Sequence, residues 1–427
     1  MSFKIVRFNC CGMDVHKNLI VATIGITDPT TLVTEYFQKN FTTLNSDLQL
    51  LVDWLLSYHC TDVCMESTGK YWIPIFNVLE AHGISVTLAH PKYTKAIKGK
   101  KTDKKDSMWI CDLHKNGMTR GSFIPPKAIR ELREISRYYH KLTGMNSSES
   151  CRYQNCMTVS NIGLASVLSD VNGKTGKSIM KELLKSDEIN EKKILRLIHG
   201  RCKNKDKILE AIHGYHIEPD SQFKMVTIQK HKEELNQHIN ACLTEMYKRV
   251  QPFYDQFQHI TEIKGISLLS AILIISEIGV DMTVWEDSKQ LCSWAGLCPG
   301  NNESASKKKS VRITKAGQYL KPLLVQCSLA AIKDSNGYFG TKYRRIKKRR
   351  GHKKAIIAIA RMMLTCIYHM ILTGESFHPT DYEELMNPKP KTYTKFTVES
   401  AINFLKSSGL DFDTIQQFYQ SETVLVS

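Results

Sequence analysis

Lys4-Ile5-Val6-Arg7-Phe8-Asn9-Cys10-Cys11-Gly12-Met13-Asp14 and, four residues later, Leu19-Ile20-Val21-Ala22-Thr23-Ile24-Gly25-Ile26 are two apolar runs rich in β-branched residues. Such runs, bounded by polar residues, read as strands. The turn signal Thr27-Asp28-Pro29 leads into a third run, Leu32 to Phe41. The period then changes: Leu44, Leu48, Leu51 and Leu55 recur at helical spacing. Asp62 to Met65 reads as a short buried strand, Phe76 to His82 as part of a helix, and Ile84 to Ala89 as a strand stopped by Pro91. Three strands, a helix, then strand, helix, strand and helix predict a mixed sheet flanked by helices.

That order is the order of a ribonuclease H-like fold, assigned here to residues 1–125. Past Pro125-Pro126 the strand signals vanish. Ile129, Leu132, Ile135 and Tyr139 share a helical face, and Ile228, Leu235, Ile239, Cys242, Met246 and Val250 step by sevens, fours and threes. Residues 126–256 are therefore expected to form a helical, partly coiled-coil spacer or dimerisation arm. A mostly helical C-terminal domain is expected over 257–375, with an acidic tail over 376–427.

The 427-residue chain carries 59 Lys and Arg against 42 Asp and Glu, a net charge of +17, with 42% hydrophobic residues. That composition buries real cores and excludes wholesale disorder. The amino-terminal sequence lacks the apolar stretch of a signal peptide, and the run Ile272 to Ile278 is broken by Ser276 and Glu277. The expectation is a cytoplasmic, nucleoid-associated protein of a prokaryote with no membrane partner. The thirteen cysteines contain no Cys-x-x-Cys pair, and the odd count argues against a disulfide scaffold. Seven acids and four bases leave the stretch from Ser376 onward negative. The positive charge gathers instead in three runs: Lys92 to Lys105, including Lys100, Lys101, Lys104 and Lys105; Lys307, Lys308, Lys309, Arg312 and Lys315; and Lys342 to Lys354, including Arg344, Arg345, Lys347, Lys348, Arg349 and Arg350. Such concentration points to a polyanion partner.

Four carboxylates carry the chemistry. Asp14 ends the first strand, Glu66 follows the buried strand, and Asp103 and Asp106 stand three apart before a helical pattern, hence on one helix face. In a ribonuclease H-like sheet the first strand is central and the Glu66 strand is its neighbour, so the four are expected to converge. Clustered carboxylates repel unless a cation lies between them, and oxygen ligands suit Mg²⁺ or Mn²⁺. His16 and His90 are read as structural or solvated. Asn172 to Ser178, Asn-Gly-Lys-Thr-Gly-Lys-Ser, has two residues between its glycines where a phosphate-binding P-loop needs four.

Glu262-Ile263-Lys264-Gly265-Ile266-Ser267 has the turn of a helix–hairpin–helix, with Gly265 placed to bring backbone N–H groups to a phosphate. Beyond it, Trp294-Ala295-Gly296-Leu297-Cys298-Pro299-Gly300-Asn301-Asn302-Glu303-Ser304-Ala305 precedes Arg312-Ile313-Thr314-Lys315-Ala316-Gly317. A serine beside lysines in a glycine- and proline-rich loop is a candidate nucleophile toward a phosphodiester.

These motifs, in this order, resemble those of the transposases of insertion-sequence family 110, the DEDD recombinases, over most of residues 8–370. The family's Gly-x-Asp-x-x-Lys falls on Gly12 to Lys17, its Glu-Ser/Ala-Thr-Gly on Glu66 to Gly69, and its Lys-Thr-Asp-x-x-Asp on Lys101 to Asp106. Its Gly-Leu-x-Pro loop and Ile-Ser/Thr-Lys-x-Gly element fall on Gly296 to Ala305 and Ile313 to Gly317. The resemblance implies a RuvC-like N-terminal domain with the tetrad Asp14, Glu66, Asp103 and Asp106. It also implies Ser304 as the nucleophile of a phosphoserine link to DNA. Donor and target DNA, a structured guide (bridge) RNA and a dimer-of-dimers assembly are the implied partners. Ala305 stands where Gly is commoner, Ser306 is a second candidate nucleophile, and Lys321 stands where Arg is often found. The rival reading is a RuvC-like metal-dependent endonuclease or junction resolvase in which water attacks.

Overall fold

A computed structural model describes residues 5–66, 69–90, 102–185, 190–200, 202, 205–300, 302–304, 307–310, 312–387, 398–409 and 413. Of the readings above, those on Lys4, Ser67, Thr68, Pro91 to Lys101, Asn301, Ala305, Ser306 and, within the acidic tail, residues 388–397, 410–412 and 414–427 lie outside these residues. The chain divides into two compact units, Met1–Arg130 and Glu131–Ser427.

In the first unit the opening runs become β1 (Asn9–Val15), β2 (Ile20–Thr27) and β3 (Thr34–Phe41), followed by α1 (Asn45–Ser57), β4 (Asp62–Glu66), α2 (Trp72–Ala81), β5 (Ser85–Ala89) and α3 (Asp103–Lys115). The sheet order is β3-β2-β1-β4-β5. β1 runs antiparallel to β2 and parallel to β4, and β5 is parallel to β4. This mixed sheet with flanking helices is consistent with a ribonuclease H-like domain, and β1 is central in it. β1 begins at Asn9, so residues 5–8 of the opening run lie outside the strand. The N–H groups of Val6 and Arg7 both donate to the Lys115 carbonyl, at 2.9 and 3.1 Å, which takes the chain off the sheet.

Strand alternation sorts the two faces. Cys11, Met13 and Val15 of β1, with Val63 and Met65 of β4, join Leu48, Leu51, Leu55, Ile75 and Leu79 of α1 and α2 in one core. Each Val, Leu, Ile or Met side chain among them contributes roughly 1.5–3 kcal/mol on burial. Cys64, Ala89 and Ile110 cluster on the other face, where α3 lies. Gly12 and Asp14 therefore belong to the α3 face. Both faces are covered, so β1 and β2 read as continuous apolar runs instead of alternating ones.

Helix α4 (Lys127–Val159) is followed by short helices α5 (Leu164–Val167), α6 (Lys174–Leu183), α7 (Glu191–Leu197) and α8 (Lys205–Glu210), then by α9 (Pro219–Arg249). α4 and α9 are antiparallel partners. Gln229 Nε2 donates to the Tyr153 hydroxyl at 2.6 Å, Asn146 Nδ2 to Asn236 Oδ1 at 3.0 Å, and Arg249 Nη1 to Glu131 Oε2 at 2.6 Å. Of the stripe read from the sequence, Ile228, Leu235, Met246 and Val250 are buried, while Ile239 and Cys242 are half-buried. The short helices pack Leu164, Ile179, Leu183, Ile194 and Ile208 against Tyr153 and Met157 of α4 and Met225 of α9.

The remaining elements are α10 (Tyr254–Ile260), α11 (Leu268–Ile278), α12 (Ser288–Trp294), β6 (Asn302–Ser304), β7 (Lys307–Ser310), α13 (Leu320–Ala331), α14 (Tyr338–Arg350), α15 (His352–Thr373), α16 (Tyr382–Met386) and α17 (Val398–Ser407). α15 is long and apolar enough to span a bilayer by composition, yet it packs against α10, α12, α13 and α14. Its residues Ala355, Ile356, Ile359, Ala360, Met363, Leu364 and Ile367 are buried at helical spacing, as in a core helix. α11 is tied to α4 through Glu277. This buried carboxylate accepts two bonds of 2.8 Å from Arg137, while Arg133 donates to the Ser276 and Glu277 carbonyls. Eight of the thirteen cysteines are buried and all are free thiols.

Candidate active site

Asp14 and Glu66 are register partners on the adjacent parallel strands β1 and β4. Both sit near the carboxyl ends of those strands. Asp103 and Asp106 lie in the first turn of α3, where a helix N-terminus stabilises negative charge. Thr102 caps that turn, its side-chain oxygen accepting from the Lys105 N–H at 3.4 Å.

Gly12 is what lets α3 lie on β1. A Cβ there would meet Cys111 N at 2.2 Å and Ser107 O at 2.4 Å, both backbone atoms of α3. The Thr23 and Ser107 hydroxyls, 2.7 Å apart and buried, pin the same helix to β2. The first glycine of the Gly12-Met13-Asp14 motif thus fixes the approach of the helix that carries the other two aspartates.

Asp14 is nearly enclosed, with its side chain 13% exposed. Burial pushes its carboxyl above the usual range; His16 opposes this, and the charges of Glu66, Asp103 and Asp106 push it further up. All three other carboxylates are therefore close enough to act on Asp14. Repulsion of this kind is what a divalent cation relieves.

The sequence alone reads His16 as structural or solvated, and the structure brings it into the site. Its Nε2 lies 3.3 Å from Asp14 Oδ2 and 3.6 Å from Asp103 Oδ1. The atom is buried and makes no hydrogen bond, so these are ion-pair distances without hydrogen-bond geometry. Asp14, His16 and Asp103 each offer a ligand atom, all within 4.8 Å of one another. A buried orphan nitrogen among carboxylate oxygens fits a cation. The available signal was the Asp-x-His spacing at a strand end, because residues two apart share a face. The cavity of about 460 Å³ in the second unit, lined by Tyr338, Arg361, Cys366 and Asp381 among others, contains none of these groups.

In the second unit Ser304 ends β6, and β7 returns antiparallel with Lys307 as its register partner. Ser304 therefore stands at the tip of a short hairpin, beside the first lysine of the basic run Lys307 to Lys309. The motif glycines build its base. Gly296 and Gly317 both have φ of +70°; a Cβ on Gly296 would meet Ala316 O at 2.3 Å, and one on Gly317 would meet Ala295 O at 2.0 Å. Two backbone segments are thus pressed together with no room for side chains. The Gly300 N–H donates to Arg312 O at 2.9 Å and extends the pairing. Lys321 Nζ donates to Thr314 O at 2.8 Å, so this lysine braces the loop, and burial lowers its pKa.

Gly265 has φ of +97°, and a Cβ there would meet Cys327 O of α13 at 2.5 Å. Packing therefore supplies a reason for this glycine apart from phosphate contact. Lys264 beside it pairs with Asp334 at 2.6 Å. Of the basic groups, Lys104, Lys105, Arg312 and Lys315 are exposed, as are Arg344, Arg345, Lys347, Lys348, Arg349 and Arg350 on α14. Lys342 differs: it is largely covered and pairs with Asp381, which also accepts from the Tyr338 hydroxyl at 2.7 Å.

Residues 11–161 match the model of a transposase family, the DEDD transposases of the IS110 type. Residues 257–344 match that described as "Transposase IS116/IS110/IS902 family". The first region contains the four carboxylates and the second contains Ser304. The chain is also similar to the transposase for insertion sequence element IS1111A of Coxiella burnetii (strain RSA 493 / Nine Mile phase I), 26% identical over 137 residues. That stretch is 31% of this chain and 37% of the relative, so the chain spans little more than a third of the relative's length.

Proposed function

The chain belongs to the IS110 family of transposases, and from that premise we propose that it is a site-specific DNA recombinase that mobilises an insertion sequence. The observation that carries this reading is the grouping of the carboxylates: Asp14 and Glu66 are register partners on β1 and β4, and Asp103, which shares the first turn of α3 with Asp106, flanks His16 Nε2 together with Asp14. In the proposal these four residues hold Mg²⁺ or Mn²⁺. When bound, such an ion offsets charge on the scissile phosphate and orients it for in-line displacement.

Ser304 is the nucleophile in this reading. Its Oγ forms a bond to phosphorus, the phosphorus–sugar oxygen bond breaks, and the serine proton passes to the departing oxygen by way of solvent or a neighbouring base. The energy of the broken ester is kept in the phosphoserine, so the reverse attack by a DNA hydroxyl rejoins strands without ATP. Lys307, Arg312 and Lys315 near the hairpin offset the developing phosphoryl charge. The exposed bases of α14 and those at the start of α3 contact the backbones of donor and target DNA and of a guide RNA. Assembly is as a dimer of dimers.

The test uses suicide substrates that trap the enzyme on DNA, carrying the recombination site identified by sequencing co-purified nucleic acid. The wild type should leave a covalent adduct whose peptide map puts phosphate on Ser304. Ser304→Ala should bind DNA and metal yet form neither adduct nor product. A map on Ser306 would move the nucleophile by two residues. Free ends produced by an active Ser304→Ala variant would overturn the recombinase in favour of a hydrolytic, resolvase-like nuclease.

A further inference from the structure

The tetrad accounts for four carboxylates and leaves one group beside them unexplained. His16 follows β1 immediately, and its backbone N–H donates to Leu19 O at 2.9 Å, closing the turn into β2. The backbone of this histidine is therefore fixed by the hairpin that also fixes Asp14. Its ring is partly exposed, but Nε2 is buried and makes no hydrogen bond, lying at ion-pair distances of 3.3 Å from Asp14 Oδ2 and 3.6 Å from Asp103 Oδ1.

We propose that His16 Nε2 is a ligand of the same divalent ion, which makes the centre a mixed nitrogen–oxygen set selecting Mn²⁺ over Mg²⁺. The inference rests on the reading of the tetrad as a metal site and goes beyond it in naming a fifth ligand and the ion it selects.

Two physical arguments support it. Ligand atoms in adjacent octahedral positions, with bonds of about 2.1 Å, lie about 3 Å apart. The observed 3.3 and 3.6 Å are slightly wider, and the three ligand atoms all lie within 4.8 Å of one another. An imidazolium paired directly with a carboxylate closes instead to about 2.7–2.9 Å with an aligned N–H. Neither separation meets that, and no hydrogen bond forms. The chemistry then decides the ion. Mg²⁺ takes oxygen ligands and holds its waters, whereas imidazole favours first-row transition ions. Mn²⁺ accepts carboxylate oxygen and imidazole nitrogen in one octahedral shell, which the Asp14, His16 and Asp103 trio offers on one side.

The test is metal binding by the full chain, freed of nucleic acid and divalent ions, with no activity readout. Mn²⁺ is titrated and followed by electron paramagnetic resonance, Mg²⁺ is measured by competition, and pulsed resonance reports any nitrogen bound directly to Mn²⁺. The wild type should show that nitrogen coupling. His16→Ala and His16→Asn, shown to be folded by circular dichroism, should lose it. Their Mn²⁺ affinity should fall about tenfold or more while that for Mg²⁺ changes by about twofold at most, erasing the preference. Mn²⁺ bound in the wild type without nitrogen coupling, or a preference unchanged in both variants, would overturn the role of His16 and leave the tetrad standing. Mn²⁺ binding that Asp14→Asn does not diminish would overturn the metal reading of the tetrad, and His16 with it.

Discussion

Gly12→Ala adds one methyl group where α3 crosses β1, and the structure says how far the helix must move. The new Cβ would lie 2.2 Å from Cys111 N, 2.4 Å from Ser107 O and 2.7 Å from Cys111 Cα. All three are backbone atoms, so no rotamer change relieves the clash. Ordinary van der Waals separations begin near about 3.5 Å, so α3 has to retreat by about 1 Å. β1 cannot yield instead, because β2 and β4 hold it on both sides. The retreat strains the 2.7 Å Thr23–Ser107 hydroxyl pair. Overpacking of this kind costs about 1–3 kcal/mol.

Asp103 and Asp106 ride on the same helix, so they leave Asp14 and Glu66 by a similar distance. A misplacement of about 1 Å in a catalytic constellation costs about a hundredfold in rate. Gly12→Ala should therefore melt earlier, bind Mn²⁺ more weakly and mobilise a marked element about a hundredfold less often. Its salt-dependent DNA binding should be unchanged. Gly144→Ala is the matched control: it lies exposed inside α4 with nothing within 4 Å of the new Cβ, and should raise stability by roughly 0.5–1 kcal/mol. A Gly12→Ala protein that melts, binds Mn²⁺ and mobilises DNA like the wild type would refute the account of α3 resting on Gly12.

Replacing Arg344, Arg345, Lys347, Lys348, Arg349 and Arg350 by Gln should flatten the log–log dependence of DNA affinity on salt, by about 0.7–0.9 for each phosphate that the helix no longer neutralises. Lys342→Gln should leave that slope alone and lower stability, because Lys342 is engaged with Asp381; fluorescence anisotropy over a KCl series separates the two. Glu277→Ala should cost roughly 1.5–3 kcal/mol in denaturant titrations, since it removes two charge-assisted bonds to Arg137, a third of whose side chain is exposed to water. Burial raises the Asp62 carboxyl, but bonds from His114 and Arg7 outweigh it and hold the pKa below the usual value. Its contribution to stability is thus present above the unfolded value of about 3.9 and is lost as pH falls through the lower folded value. The melting-temperature gap between wild type and Asp62→Asn should shrink on going from about pH 5 to about pH 3, and a constant gap would contradict this assignment.

Much of the first unit was legible in one dimension. The runs before Asp14 and up to Ile26, the leucines of α1 and the Pro91 stop signalled elements of the right kind in the right order, because strand and helix periods are local properties of the chain. The Asp103–Asp106 spacing likewise set both acids in one helical turn before any packing was known. Local signals could not say what those elements meet. Gly12 matters because of Cys111, about a hundred residues on, and Gly296 because of Ala316. Lys342 reads in the sequence as one of a basic run, and only the structure pairs it with Asp381. His16 looked like a lone histidine because Asp103 is distant along the chain. Residue type and spacing determined which groups could do chemistry. Only tertiary packing decided which of them face one another, since Coulomb and steric forces act over a few ångströms of space regardless of separation in sequence.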